Sequence, residues 1–187
     1  MELPILLIGP HSAGKSAVGK LLALQLKLPF LNLWEVCEKY WQEIGYDETL
    51  LDLAWENDQA DGVYRYWKQF DLHAVARLLK EHQNCVIDFG AGHSIYEDDG
   101  DFARARELLA PYTNVVLLMP SPDLDESVAV LRRQNTPIIN GMEANRFFAT
   151  HPSNRKLATL VVYTKGQTPS ETRDEILKHL ELTHRQN

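Results

Sequence analysis

Eight consecutive residues carry the clearest chemistry in this chain: Gly9-Pro10-His11-Ser12-Ala13-Gly14-Lys15-Ser16, with the spacing G-x-x-x-x-G-K-S. Gly9 and Gly14 can take backbone angles closed to other residues, so the stretch can curl and turn successive amide N–H groups inward. Such a curl suits phosphate oxygens, and residues Gly9 through Ala17 are the candidate nucleotide-binding set. Lys15 would reach the β- and γ-phosphates as a point charge, and Ser16 would ligate Mg²⁺ through its hydroxyl. A nucleoside triphosphate and Mg²⁺ are therefore the expected ligands.

A second candidate is Asp88, which ends the apolar run Cys85-Val86-Ile87. An acid at a strand tip beside the phosphate loop can hold Mg²⁺ through water or accept a proton. The alternative is a turn-forming aspartate that bonds its own backbone before Gly90. Gly90 and Gly92 would let main chain approach a bound acceptor. In Tyr64-Arg65-Tyr66-Trp67, Trp67 and Phe70 belong to an apolar stripe, whereas Arg65 and Lys68 lie on a polar face; Arg65 is a candidate anion binder. Arg132, Arg133, Arg146 and Arg155 form a basic cluster late in the chain. One of them could stabilise charge on a moving phosphoryl group or stack on adenine, and Arg146 is also a candidate for the acceptor pocket. The seven histidines show no metal-ligand spacing. Cys37 and Cys85 stand far apart in apolar-patterned segments and read as buried free thiols.

These residues need a frame. The loop follows the solid apolar run Leu3 to Ile8 and precedes a helical pattern with Val18, Leu21, Leu22 and Leu26 on one face. Short apolar strands are expected near 28–33, 85–89, 115–119 and 157–163, with helical patterns between them. One break is expected at 57–62, between a short helix at 48–55 and a long one running to about His82. The irregular stretch 134–155 is the expected lid. Solid apolar strands alternating with helices make an α/β fold, a parallel sheet buried on both faces. In such sheets ligands bind beyond the carboxyl ends of the strands. A length of 187 residues suits one domain. With 44% hydrophobic and 24% charged residues and a net charge of −7, the composition is that of a soluble protein without the basic surface duplex nucleic acid requires. The first apolar run lacks the basic flank of a signal peptide, and nothing approaches a membrane span, so cytoplasm is the expected compartment.

The whole layout resembles the shikimate kinase family. The resemblance is carried by Ile8-Gly9-Pro10 through Lys15-Ser16, Leu28-Pro29-Phe30-Leu31-Asn32, the Gly90-Ala91-Gly92 turn, Val116-Leu117-Leu118, and Leu157 to Val162 with the helix from Pro169. It implies a P-loop NTPase fold of three layers with five parallel strands in the order 2-3-1-4-5, a small lid, and phosphate transfer from ATP to a small hydroxylated molecule. It also implies, by analogy, that Arg133 or its neighbour Arg132 acts from the lid. Where the family carries an Asp-x-Asp pair after the second strand, this chain has Asn32-Leu33-Trp34, which places Trp34 at the acceptor. Arg65 is the nearest counterpart of the family's substrate-binding arginine. Without those carboxylates the expected acceptor is a molecule other than shikimate. Two other readings fit the same residues: a nucleoside or nucleotide kinase or NTP hydrolase, and a nucleotide-binding regulatory module without kinase activity. The expected partners are a nucleotide and a small acceptor, with no nucleic acid or membrane, and the chain is expected to be a monomer or weak homodimer.

Overall fold

The computed structural model describes residues 4–132 and 136–184, with side chains through residue 180. In chain order the first half runs β1 (Ile5–Ile8), α1 (Lys15–Leu26), β2 (Phe30–Asn32), α2 (Leu33–Gln42), α3 (Glu48–Glu81) and β3 (Val86–Asp88). The second half runs α4 (Asp99–Leu109), β4 (Val115–Met119), α5 (Leu124–Leu131), β5 (Ile138–Ile139), β6 (Met142–Glu143), α6 (Ala144–Thr150), α7 (Pro152–Leu157), β7 (Leu160–Tyr163) and α8 (Pro169–His184).

Five of the strands form one parallel sheet in the order β2-β3-β1-β4-β7. Counting only its own strands, this is the expected order 2-3-1-4-5. Helices flank the sheet: α1 packs against α8 and β3, and α7 packs against α4 and β4. Every residue of β1, β3 and β4 is buried, as their unbroken apolar runs require of central strands. Register then does the positioning. Asp88 is level with Leu7 on one side and Asn32 on the other, so the acid and the amide stand together at the carboxyl edge, one residue below the turn into the loop.

The first helix begins where glycine and lysine place it, and Asp98 and Asp123 cap α4 and α5 by accepting from the amides of Asp101 and Glu126. The break expected in the third helical stretch is present as a kink. Asp58 and Gln59 leave helical geometry, Gln59 at φ 46°, and two helical runs continue on either side. Gly62 makes the bend possible, because a Cβ there would run into the carbonyl oxygen of Ala54.

Two expectations are corrected. The last strand starts at Leu160 rather than Leu157, because Pro152 at the first helical position and His151 as its cap wind 152–157 into α7. The stretch expected to be irregular is structured over its described part. Asn140 and Gly141, both at positive φ, turn β5 back onto β6, and α6 follows. This segment is tied down by a second apolar cluster in which Ile139, Phe147 and Phe148 pack with Tyr64 of α3 and Ile95. Both cysteines are buried free thiols, and burial pushes the Cys37 thiol up to about 12 and the Cys85 thiol up to about 11. Among the described residues no helix is long and apolar enough to cross a membrane.

Candidate active site

The loop between β1 and α1 is built on three positive-φ residues, Gly9 at 131°, Ser12 at 65° and Gly14 at 95°. Gly9 runs against β4 so closely that any Cβ would strike the carbonyl oxygen of Leu118. Gly14 stands at the N-terminus of α1 with no side chain to cap the helix, leaving first-turn amides available to an anion.

Lys15 is buried, and its ammonium donates to the carbonyls of Gly9 at 2.9 Å and Pro10 at 2.7 Å. The lysine thus spans the loop it belongs to. Burial pulls its pKa down to about 8, against the opposing pull of the Asp88 charge. Ser16 donates from Oγ to Asp88 Oδ2 at 2.6 Å. The other carboxylate oxygen of Asp88 accepts from the amide of Gly90 at 2.8 Å. One side chain therefore makes both arrangements weighed from sequence: the turn before Gly90 and the acid beside the loop hydroxyl.

The loop opens onto a cavity of about 740 Å³. Its lining includes the rings of Trp34, Trp55, Tyr64, Trp67 and Phe148, together with Lys68, Asp71 and His93. Trp34, Gly90 and Gly92 line the cavity. His11 is exposed, lines the mouth and meets the edge of Phe148 at 5.3 Å.

Two arginines are corrected. Arg65 points away from the cavity and pairs with Asp58 and, at 3.0 Å, Asp61, the acids of the kink. Its neighbours at 60, 63, 64, 67, 68 and 71 all line the cavity and occupy one helical face, and Arg65 lies off that face. Arg146 is likewise exposed and held by Asp125 at 2.9 Å. Arg132 is exposed after the end of α5, and Arg133 lies outside the described residues. Arg65→Ala is expected to change turnover by less than about threefold, since an exposed ion pair away from the chemistry carries little. Steady-state ADP release measures this, and a loss far beyond that range would put Arg65 back in the pocket.

Three polar residues of the cavity were not assigned a role from sequence: Lys68, placed there only on a polar face, His93, expected to be a loop histidine, and Asp71. Lys68 bonds Asp71 at 2.7 Å and the carbonyl of Gly92 at 3.0 Å, and His93 stands 3.4 Å from Asp71. The available signal was an acid three residues after a lysine, set beside Phe70 on the apolar stripe of α3.

A glycine-bounded loop, a lysine spanning it, a serine on an acid from the neighbouring strand, and this strand order define a P-loop nucleotide-binding protein. Comparison with known proteins narrows the class. The family model described as shikimate kinase matches residues 11–181. The shikimate kinase of Francisella tularensis subsp. novicida (strain U112) is 32% identical over 172 residues, covering 88% of this chain and 86% of the relative. That of Francisella philomiragia subsp. philomiragia is 31% identical over the same shares. Among solved structures, shikimate kinase from Acinetobacter baumannii in complex with shikimate superposes with a TM-score of 0.59 at 22% identity, over 98% of this chain and 93% of that one. The Aquifex aeolicus enzyme gives 0.59 at 23%, over 96% of both chains. The chain belongs to the shikimate kinase family. It is accordingly a kinase, with ATP and Mg²⁺ as its cofactors.

The residues present fit those cofactors. The curled loop and Lys15 offer donors to phosphate, and Ser16 and Asp88 offer the hard oxygens that Mg²⁺ takes. Among the described residues no group of three or more His, Cys, Asp or Glu side chains converges on a metal position.

Proposed function

We propose that this kinase transfers the terminal phosphoryl group of ATP to the hydroxyl of a small metabolite other than shikimate. The observation that carries the reading is the Ser16–Asp88 contact at 2.6 Å, which stands at the loop foot on the wall of the aromatic cavity. Loop amides and Lys15 hold the β- and γ-phosphates and stabilise charge as it spreads over the moving group. Mg²⁺, when bound, neutralises phosphate charge; Ser16 and Asp88 are the residues that would hold it, Asp88 through water. The hairpin β5–β6 and α6 act as the lid that keeps water from the reacting phosphate.

The substrate side departs from the family pattern. Asn32 and Trp34 stand where the family carries its Asp-x-Asp pair, Trp34 in place of the carboxylate on the substrate side, and both candidate acceptor arginines are engaged on the outer surface. A site that has lost its polar partners discriminates strongly against the ligand those partners served. The test is ADP release with Mg·ATP across a panel of hydroxylated metabolites that includes shikimate. Acceptor-dependent release with a panel member, and none above background with shikimate, is the expected result. Shikimate emerging as the best acceptor would overturn the substrate assignment, and no acceptor raising release would overturn the kinase reading.

A further inference from the structure

Beyond the phosphate loop, the cavity holds a charge arrangement that the reaction just described does not use. Lys68, Asp71 and His93 form one group, with Lys68 half-buried and the other two buried. Asp71 and His93 are each 3% exposed. Asp71 Oδ2 accepts from Lys68 at 2.7 Å, and a second donor of that ammonium is taken by the Gly92 carbonyl at 3.0 Å. The Lys68 ammonium also lies 5.0 Å from the centre of the Tyr96 ring. On the other side, His93 Nδ1 is 2.8 Å from the carbonyl oxygen of Phe89. A carbonyl only accepts, so Nδ1 carries the proton. Burial lowers the pKa of the ring, which keeps it neutral and leaves a lone pair on Nε2. That nitrogen has no hydrogen-bond partner and stands 3.4 Å from Asp71 Oδ1, itself an acceptor.

Three properties of a ligand follow. Lys68 and Asp71 in the cavity lining cancel each other, so beyond the phosphate loop a ligand carboxylate would meet no unspent positive charge among the described lining residues. Removing a carboxylate from water without a partner is costly. Next, Asp71, the Gly92 carbonyl and His93 Nε2 are all acceptors, and two of the three lysine donors are committed, so the group is matched by ligand hydroxyl or amino hydrogens. Finally, the walls are flat aromatic rings. Trp34 is 51% exposed and sits edge-on to Trp67 at 4.8 Å, close to His93, and Trp55 is 56% exposed across the space. Exposed indoles over a polar floor take a planar apolar body.

We propose that the phosphoryl acceptor is an uncharged molecule with a planar apolar body, its ring against Trp34 and Trp67 and its hydroxyl or amino hydrogens directed to Asp71 and His93. Aromatic alcohols and nucleosides belong to this class; hydroxy-carboxylates do not. The proposal rests on the kinase reading above only for the word acceptor. The pocket's preference for neutral, donor-bearing rings stands on its own geometry.

Binding is measured by ligand-observed NMR on the full chain saturated with a non-hydrolysable ATP analogue and Mg²⁺. Two size-matched sets are compared: neutral hydroxylated aromatics with nucleosides among them, and hydroxy-carboxylates with shikimate among them. The expected result is binding within the neutral set, weakened about tenfold by Trp34→Ala and by His93→Phe. Trp34 is half-exposed, so its variant keeps the test available should the buried His93 variant fail to fold. Binding confined to the carboxylates, binding in neither set, or neutral binding indifferent to Trp34→Ala would each overturn the proposal. Transfer to the bound compound is read separately with hydrolysable ATP. Neutral binding without transfer upholds the pocket's preference and removes the kinase reading, whereas transfer to carboxylates alone keeps the kinase reading and removes the preference.

Discussion

Lys15→Ala is expected to lower phosphoryl transfer by about 10²–10³-fold. It should also abolish the rise in melting temperature that Mg·ATP gives the intact chain by mass action. The side chain is buried against the Gly9 and Pro10 carbonyls, and its charge is held at a desolvation cost, so the variant should fold. With a pKa near 8, the residue also sets two opposite pH trends. Its charge is lost from the free protein as pH rises through about 8, so Mg·ATP affinity should fall above that point. Stability of the nucleotide-free chain should move the other way. The folded-state pKa lies below the ordinary 10.5, so from about 8 to 10.5 the unfolded chain binds more protons, and stability rises with pH across that window. Below about 8 the burial penalty on the charged lysine is fully present. Melting curves with and without nucleotide between pH 7 and 10 measure both trends, and Lys15→Ala should flatten both. A variant that kept its nucleotide-induced shift would show the loop not to be the triphosphate grip.

Asp88→Asn is expected to lower kcat by about 10–100-fold while changing ATP affinity far less, as for a group acting through a ligand of the metal rather than on the nucleotide itself. Asparagine keeps an oxygen for the Gly90 amide and so preserves the turn, but removes the negative charge facing Ser16. Steady-state turnover beside calorimetric ATP titration separates the two effects. Glu35→Gln is the control. Glu35 is exposed on α2 and does not line the cavity, so its substitution should leave turnover unchanged. An equal loss at Glu35 would transfer the acidic role there.

How legible each part was depends on how local its cause is. Phosphate-loop geometry is dictated by residues adjacent in sequence, and its glycines and lysine sit as their spacing implies. Asp88 was legible because an acid closing a solid apolar run can only emerge at a strand tip. Strand order came from the family resemblance rather than from any residue pattern. The acceptor side was read poorly because its residues meet only after α3 bends. Arg65 looked like an anion binder since it opposes the apolar stripe, yet it lies off the cavity face of α3 and pairs with Asp58 and Asp61 instead. Lys68 and Asp71 are one and two turns further along a different face, and His93 joins them from the loop after β3, a pairing no local pattern announces. The late start of β7 has the opposite origin: a proline signal at 152 outweighed an apolar run that looked like strand.

The bend at Asp58–Gln59 gives one stretch of chain two directions, so Trp55 before it and Trp67, Lys68 and Asp71 after it look into the same space. The dimensions of that chamber are therefore written at a single joint. Gly62, which touches no part of the chamber, permits the joint by lacking a side chain against Ala54. Ligand choice in this protein can accordingly be retuned from a position that no ligand ever meets.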